Sequence, residues 1–219
     1  MNLTWGEWTR LTAVLDSTWD AGKHPRGDRG RFVKSGEARV RAARILQGKP
    51  VADLSSSIVP QTGAADVRRW AAAIFEKQGG KANNPEIGTV ALDMRAVRDS
   101  MGHGKPSRFK YAAFAAVKDV LEHGAVVHHG QRGRDGESFY VAAPVKIDGA
   151  DDVVTVLVHR DPNSQRMYLH SVSTKESLLS RRVSGTDTFG GVERSGSSDS
   201  GDVAIVLRDL LNFKGSGNG

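Results

Sequence analysis

The sequence predicts an α+β fold in which N-terminal helices pack on one face of a four-stranded antiparallel meander sheet. Three features predict it. From Ser107 the apolar residues Phe109, Ala113, Ala116, Val117 and Val120 recur at helical spacing until Gly124, with Ser107 placed to cap the first turn. Four strand-like segments follow with no helix between them, at 125–129, 138–147, 153–160 and 167–175. Their connections are a Gly-rich stretch, Asp-Gly-Ala-Asp at 148–151 and Asp-Pro-Asn-Ser at 161–164. These are too short for a parallel crossover, so consecutive strands run antiparallel.

The elements ahead of this block follow in order. Leu3, Trp5, Trp8, Leu11, Val14 and Leu15 mark an N-terminal helix that either packs on the main domain or anchors the chain to a partner. Residues 21–49 hold nine basic side chains against Asp28 and Glu37, so more than the whole net charge of +6 sits there. Such an arm either holds a phosphate backbone without reading sequence or is a solvated linker. Within it, 24–32 is an irregular connector, 37–47 a basic helix, and 48–63 a loop. The compact domain opens with an amphipathic helix from Ala64 to Lys77 through Val67, Trp70, Ala71, Ile74 and Phe75. A break at 79–86, a short strand at 89–92 and a helical turn at 94–101 complete it. After the sheet, 184–201 is a Gly/Ser linker, and Val203 to Phe213 an apolar helix that either folds back on the domain or contacts something else. The organisation is therefore 1–63 Trp-rich helix and basic arm, 64–183 α+β domain, 184–201 linker, and 202–219 short helix and tail.

Composition bounds the chemistry. The chain has 219 residues and no cysteine, which excludes disulfides and thiolate metal sites. His128 and His129 point to opposite faces of one strand and cannot chelate together, so the expectation is no metal and no cofactor. No apolar run reaches the roughly 20 residues a membrane helix needs, and a secretory start is missing, so no membrane partner is expected.

Two polar clusters stand out. His103 and Lys105 lie on a Gly-rich loop ahead of the Ser107 helix, where free backbone N–H groups favour an anion; the alternative is an ordinary solvent loop. The fourth strand carries Tyr168, His170 and Thr174 on one face and Ser171, Ser173 and Lys175 on the other. Which face is open depends on register. With Ile147 opposite Val153, the open side holds Tyr140, Lys146, Arg160, His170 and Thr174; a slip of one residue brings Thr155, His159, Ser173 and Lys175 there instead.

Several stretches carry a resemblance: Gly88 to Leu92, the Ser-Met-Gly-His-Gly-Lys loop at 100–105, 119–124, 142–147 and 168–172. Together they resemble the polyvalent-protein-associated domains of phages and mobile elements. That group is similar to the barnase, EndoU, colicin and RelE type of ribonuclease fold. The stretch 24–32 also resembles a segment of phage head-morphogenesis proteins. The resemblance implies a phage-encoded, metal-independent ribonuclease in a virion or the host cytoplasm, acting on RNA or another nucleic acid. It implies His103 and His170 as acid and base, Lys105 or Lys175 on the phosphate, and Ser173 or Thr174 positioning it; the first register of the open face adds Tyr140, Lys146 and Arg160 as substrate contacts. The alternative is a non-enzymatic virion or head-morphogenesis component that docks a phage structural protein through residues 1–49.

Overall fold

The computed structural model describes residues 35–102, 107–131, 136–175 and 198–213. The elements run α1 (Ser35–Leu46), β1 (Asp53–Leu54), a 3-10 turn (Ser56–Ile58), α2 (Ala64–Lys77), β2 (Lys81–Asn84), β3 (Gly88–Ala91) and α3 (Met94–Met101). Then come α4 (Arg108–Ala112), a 3-10 turn (Ala113–Ala116), α5 (Val117–His123), β4 (Ala125–Gln131), β5 (Glu137–Ile147), β6 (Ala150–Arg160), β7 (Met167–Thr174) and α6 (Ser198–Leu211). The expected N-terminal Trp-rich helix and the basic stretch up to residue 34 lie outside the described residues.

Local chemistry sets the helix ends. The Asp93 carboxylate accepts from the Ala96 N–H at 2.9 Å and starts α3; the Ser107 hydroxyl accepts from the Lys110 N–H at 3.1 Å and starts α4. The small residues from Ala112 to Ala116 let the chain tighten into a 3-10 turn before α5 resumes, with Phe114 pressed against Phe75 at 6.1 Å between ring centroids. Gly124 ends α5 where the chain turns into the sheet. A Cβ there would lie 2.3 Å from the Val120 carbonyl oxygen and 2.7 Å from that of Ala142. Gly124→Ala is therefore expected to cost about 1–3 kcal/mol by overpacking, read from urea unfolding; an unchanged midpoint would show that the backbone yields freely.

Strands β4 to β7 follow one another as an antiparallel meander, but the sheet does not stop there. Its order is β1-β5-β6-β7-β3-β2, with β4 sharing the edge of β5 that β1 also uses. Both β1 with β5 and β3 with β7 are parallel pairs, so the expected four-stranded antiparallel sheet is corrected to a mixed seven-stranded sheet curled into a half-barrel. Of the additions, β3 falls on the expected short strand, whereas β1 and β2 come from segments with no strand signal of their own. β1 is two residues inside the expected loop, and β2 reads Lys-Ala-Asn-Asn; neighbouring strands, not intrinsic propensity, supply their pairing.

The β5–β6 hairpin sets the register. Asp148 and Gly149 both take positive φ, at 52° and 79°, the conformation of a two-residue loop matched to strand twist. Ile147 therefore faces Ala150, Pro144 faces Val153, and Ser138 faces His159. One face carries Phe139, Val141, Val145, Val154, Val156 and Leu169 beneath the α2–α5 layer. The other carries Tyr140, Ala142 and Val153 beneath α1 and α6, which contribute Ala42, Ala43, Leu46, Val203, Leu207 and Leu210. Helices thus cover both faces, a second correction to the expected one-sided packing.

Gln47 locks these two helices together. Its side-chain amide donates to the carbonyls of Leu210, Leu211 and Phe213 at 2.9, 3.3 and 2.7 Å, satisfying the end of α6. Gln47→Ala is expected to loosen α6 by about 0.5–1.5 kcal/mol, seen as faster amide exchange within 198–211 while β5 and β6 stay protected. Equal protection of α6 in both proteins would refute that role.

Candidate functional site

A bulge in the β6–β7 ladder builds the most chemically distinctive cluster. Pairing is regular from Val154 with Thr174 to Leu157 with Ser171, then slips by one, so that Val158 meets Leu169 and His159 meets Tyr168. His170 is the extra residue. A bulge re-aims a side chain, and here it brings His170 to the face of His159: the imidazoles stack at 4.1 Å between centroids and 13° between planes. Tyr168 meets His159 edge-on at 5.9 Å, with the Arg95 guanidinium 5.5 Å from the Tyr168 ring centre. On the same face His128 packs edge-on against Tyr140. His159 is buried at 7% exposure, whereas His170 and Tyr168 are half-buried. A proton-transfer group backed by a second ring therefore reaches the surface at this end of the sheet.

The other expected residues fall elsewhere along the sheet. Lys175 lies five residues beyond His170, a separation of roughly 17 Å along an extended strand. Ser173 lies between them, opposite Thr155; both are buried, and among the described residues the Thr155 hydroxyl has no hydrogen-bond partner. Tyr140 contributes to the second core, and Lys146 faces Asp151 at the hairpin end. Thr174 and Arg160 lie on the opposite face. Thr174 is buried opposite Val154, while Arg160 bonds Glu137 and sits over Phe139, on which His129 also stacks. The structure thus brings together His159, His170, Tyr168 and Arg95, and keeps Lys146 and Lys175 apart from them.

His103 and Lys105 lie outside the described residues. The segment leading to them is described: the Ser100 hydroxyl accepts from the Val172 N–H at 2.9 Å, so the end of α3 caps the edge of β7. Lys110, buried at 2% exposure, donates to the Ser100 carbonyl at 3.0 Å. Sequence patterning gave no role to Lys110 or Arg95 and reached His159 only in the slipped register. The available signal was the Asp148-Gly149 dipeptide, which fixes the parity of β6; nothing in the sequence announces the bulge.

Among the described residues no group of three or more His, Cys, Asp or Glu is placed to hold a metal ion, and no helix is long and apolar enough to cross a membrane. Residues 62–168 match the family model for large polyvalent protein-associated domain 3, which supports a polyvalent-protein-associated domain of the phage type. The matched stretch opens just ahead of α2 and ends at Tyr168, leaving α1, α6 and His170 outside it. Comparison with curated proteins and with solved structures finds no match.

Proposed function

We propose that this chain is a phage-encoded RNA-cleaving domain whose reacting end is the bulged end of the β6–β7 ladder. The observation that carries the proposal is the stacked His159–His170 pair, with one ring buried and the other at the surface. In the reaction a base removes the ribose 2′-OH proton and that oxygen attacks the adjacent phosphorus. A 2′,3′-cyclic phosphate forms as the bond to the 5′-oxygen breaks, and an acid gives that oxygen its proton. An imidazole suits either transfer near neutral pH.

Two rings stacked side by side cannot stand on opposite sides of one phosphate. His170 therefore takes one transfer, His159 holds its ring in place, and His103, three residues after the Ser100 contact to β7, takes the other. Arg95, 77% exposed at its side chain, supplies a cation to the charge developing on phosphate. The polyvalent-protein-associated match supports the phage setting, and a virion-delivered effector acting in the host cytoplasm fits it.

The test is incubation of the full chain with RNA in EDTA, with the same oligonucleotide carrying 2′-deoxyribose at every position as control. Cleavage of the first and not the second, leaving cyclic phosphate ends, is the expected result. No cleavage of RNA, or equal cleavage of both, rejects the mechanism; no cleavage combined with incorporation into particles through residues 1–49 points to the head-morphogenesis role.

A further inference from the structure

The opposite end of the same sheet face holds a groove of about 640 Å³, walled by the end of α1, the β5–β6 hairpin and the residue after β7. Lys49, Lys146 and Lys175 reach it from three separate segments of the chain. Its apolar lining includes Leu46 and Val153. α1 and α6, packed on Tyr140, Ala142 and Val153, stand between it and the histidine end.

The groove's charges are unevenly engaged. Asp152 is tied to the backbone, accepting from the N–H groups of Val153 at 2.6 Å and Lys175 at 3.0 Å. Asp151 lies 4.0 Å from Lys146 with its side chain 84% exposed, a solvated pair that a stronger anion can displace. Among the described residues neither Lys49 nor Lys175 has a carboxylate within 4.0 Å, and both are exposed. The volume falls within the range of small-ligand sites.

We propose that this groove binds a phosphate-bearing nucleotide unit, with the three ammonium groups on the phosphate and the apolar lining against the sugar or base. The binding chemistry is the same whether the phosphate belongs to a nucleic-acid strand or to a free nucleotide. The site is independent of the histidine end, from which Lys175 is separated by roughly 17 Å of strand.

The experiment titrates full-length protein in EDTA with two probes, ATP and a labelled six-nucleotide strand containing only 2′-deoxyribose, which cannot undergo the cleavage proposed above. At least one probe is expected to bind. Affinity should fall at least tenfold in the Lys49→Gln/Lys175→Gln double variant, survive in the Lys49→Arg/Lys175→Arg variant, and stay unchanged in Lys81→Gln, an exposed lysine of β2 that does not line the groove. If the strand binds, its salt dependence should flatten by up to about 0.7 in logarithmic slope when that phosphate contact is lost. Binding of the strand alone identifies a backbone subsite, and binding of ATP a nucleotide site. Failure of both probes, or equal affinity in the glutamine variant, overturns the proposal, and neither outcome bears on RNA cleavage measured with the wild-type chain.

Discussion

Phe114→Ala is expected to lower the free energy of unfolding by about 3–5 kcal/mol, the usual cost of emptying a fully buried aromatic site. Phe114 is 0% exposed and lies in the 3-10 turn between α4 and α5, its ring tilted against Phe75 of α2. Alanine there loses contacts to helix and sheet layers at once, and the flanking alanines are too small to collapse into the space. Phe109→Ala, one helix earlier, is expected to shift stability by no more than about 0.5 kcal/mol, because that ring is 44% exposed. Urea unfolding of the two variants measures the difference. Similar losses in both would mean that the turn does not join the layers as described.

The contrast between these two rings shows what the sequence could disclose. Helical periodicity put Phe109 on the buried stripe; the chain instead winds at three residues per turn through Ala113–Ala116, shifting the phase between α4 and α5. The helix ends were legible because they rest on local bonds: Ser107 caps, and Gly124 stops the run. The meander was legible too, but its register turned on the 148–151 connection. Taken as a four-residue turn, it left both parities open, whereas Asp148-Gly149 alone makes the loop and β6 begins at Ala150. Parity still could not place His170. The slip opposite Leu157 and Val158 belongs to the ladder as a whole, and it unites on one face a residue from each of the two registers. The cover over the second face was hidden for a different reason. The buried stripe of α1 is Ala42, Ala43 and Leu46 among arginines, a face too small to declare itself without α6 beside it.

His170→Ala is expected to reduce RNA cleavage by about 10²–10⁴-fold, the range for losing a positioned acid or base. It should leave the melting temperature nearly unchanged, because the ring is half-buried at a bulge rather than packed within the core. The stacked neighbour separates chemistry from packing. His159→Phe keeps a flat ring against His170 and should retain most of the activity if His159 positions its partner, whereas His170→Phe keeps the stack and loses the proton-transfer group, so it should be as inactive as alanine. Activity surviving in His170→Phe would reduce the pair to a packing contact. Lys175 supplies the remaining discrimination. If catalysis is confined to the bulged end, Lys175→Gln leaves kcat intact, because five residues of extended strand, roughly 17 Å, place its ammonium beyond any phosphate in contact with His170. A fall in kcat on that substitution would require the strand to bend, or the substrate to bring both ends of the face into one site.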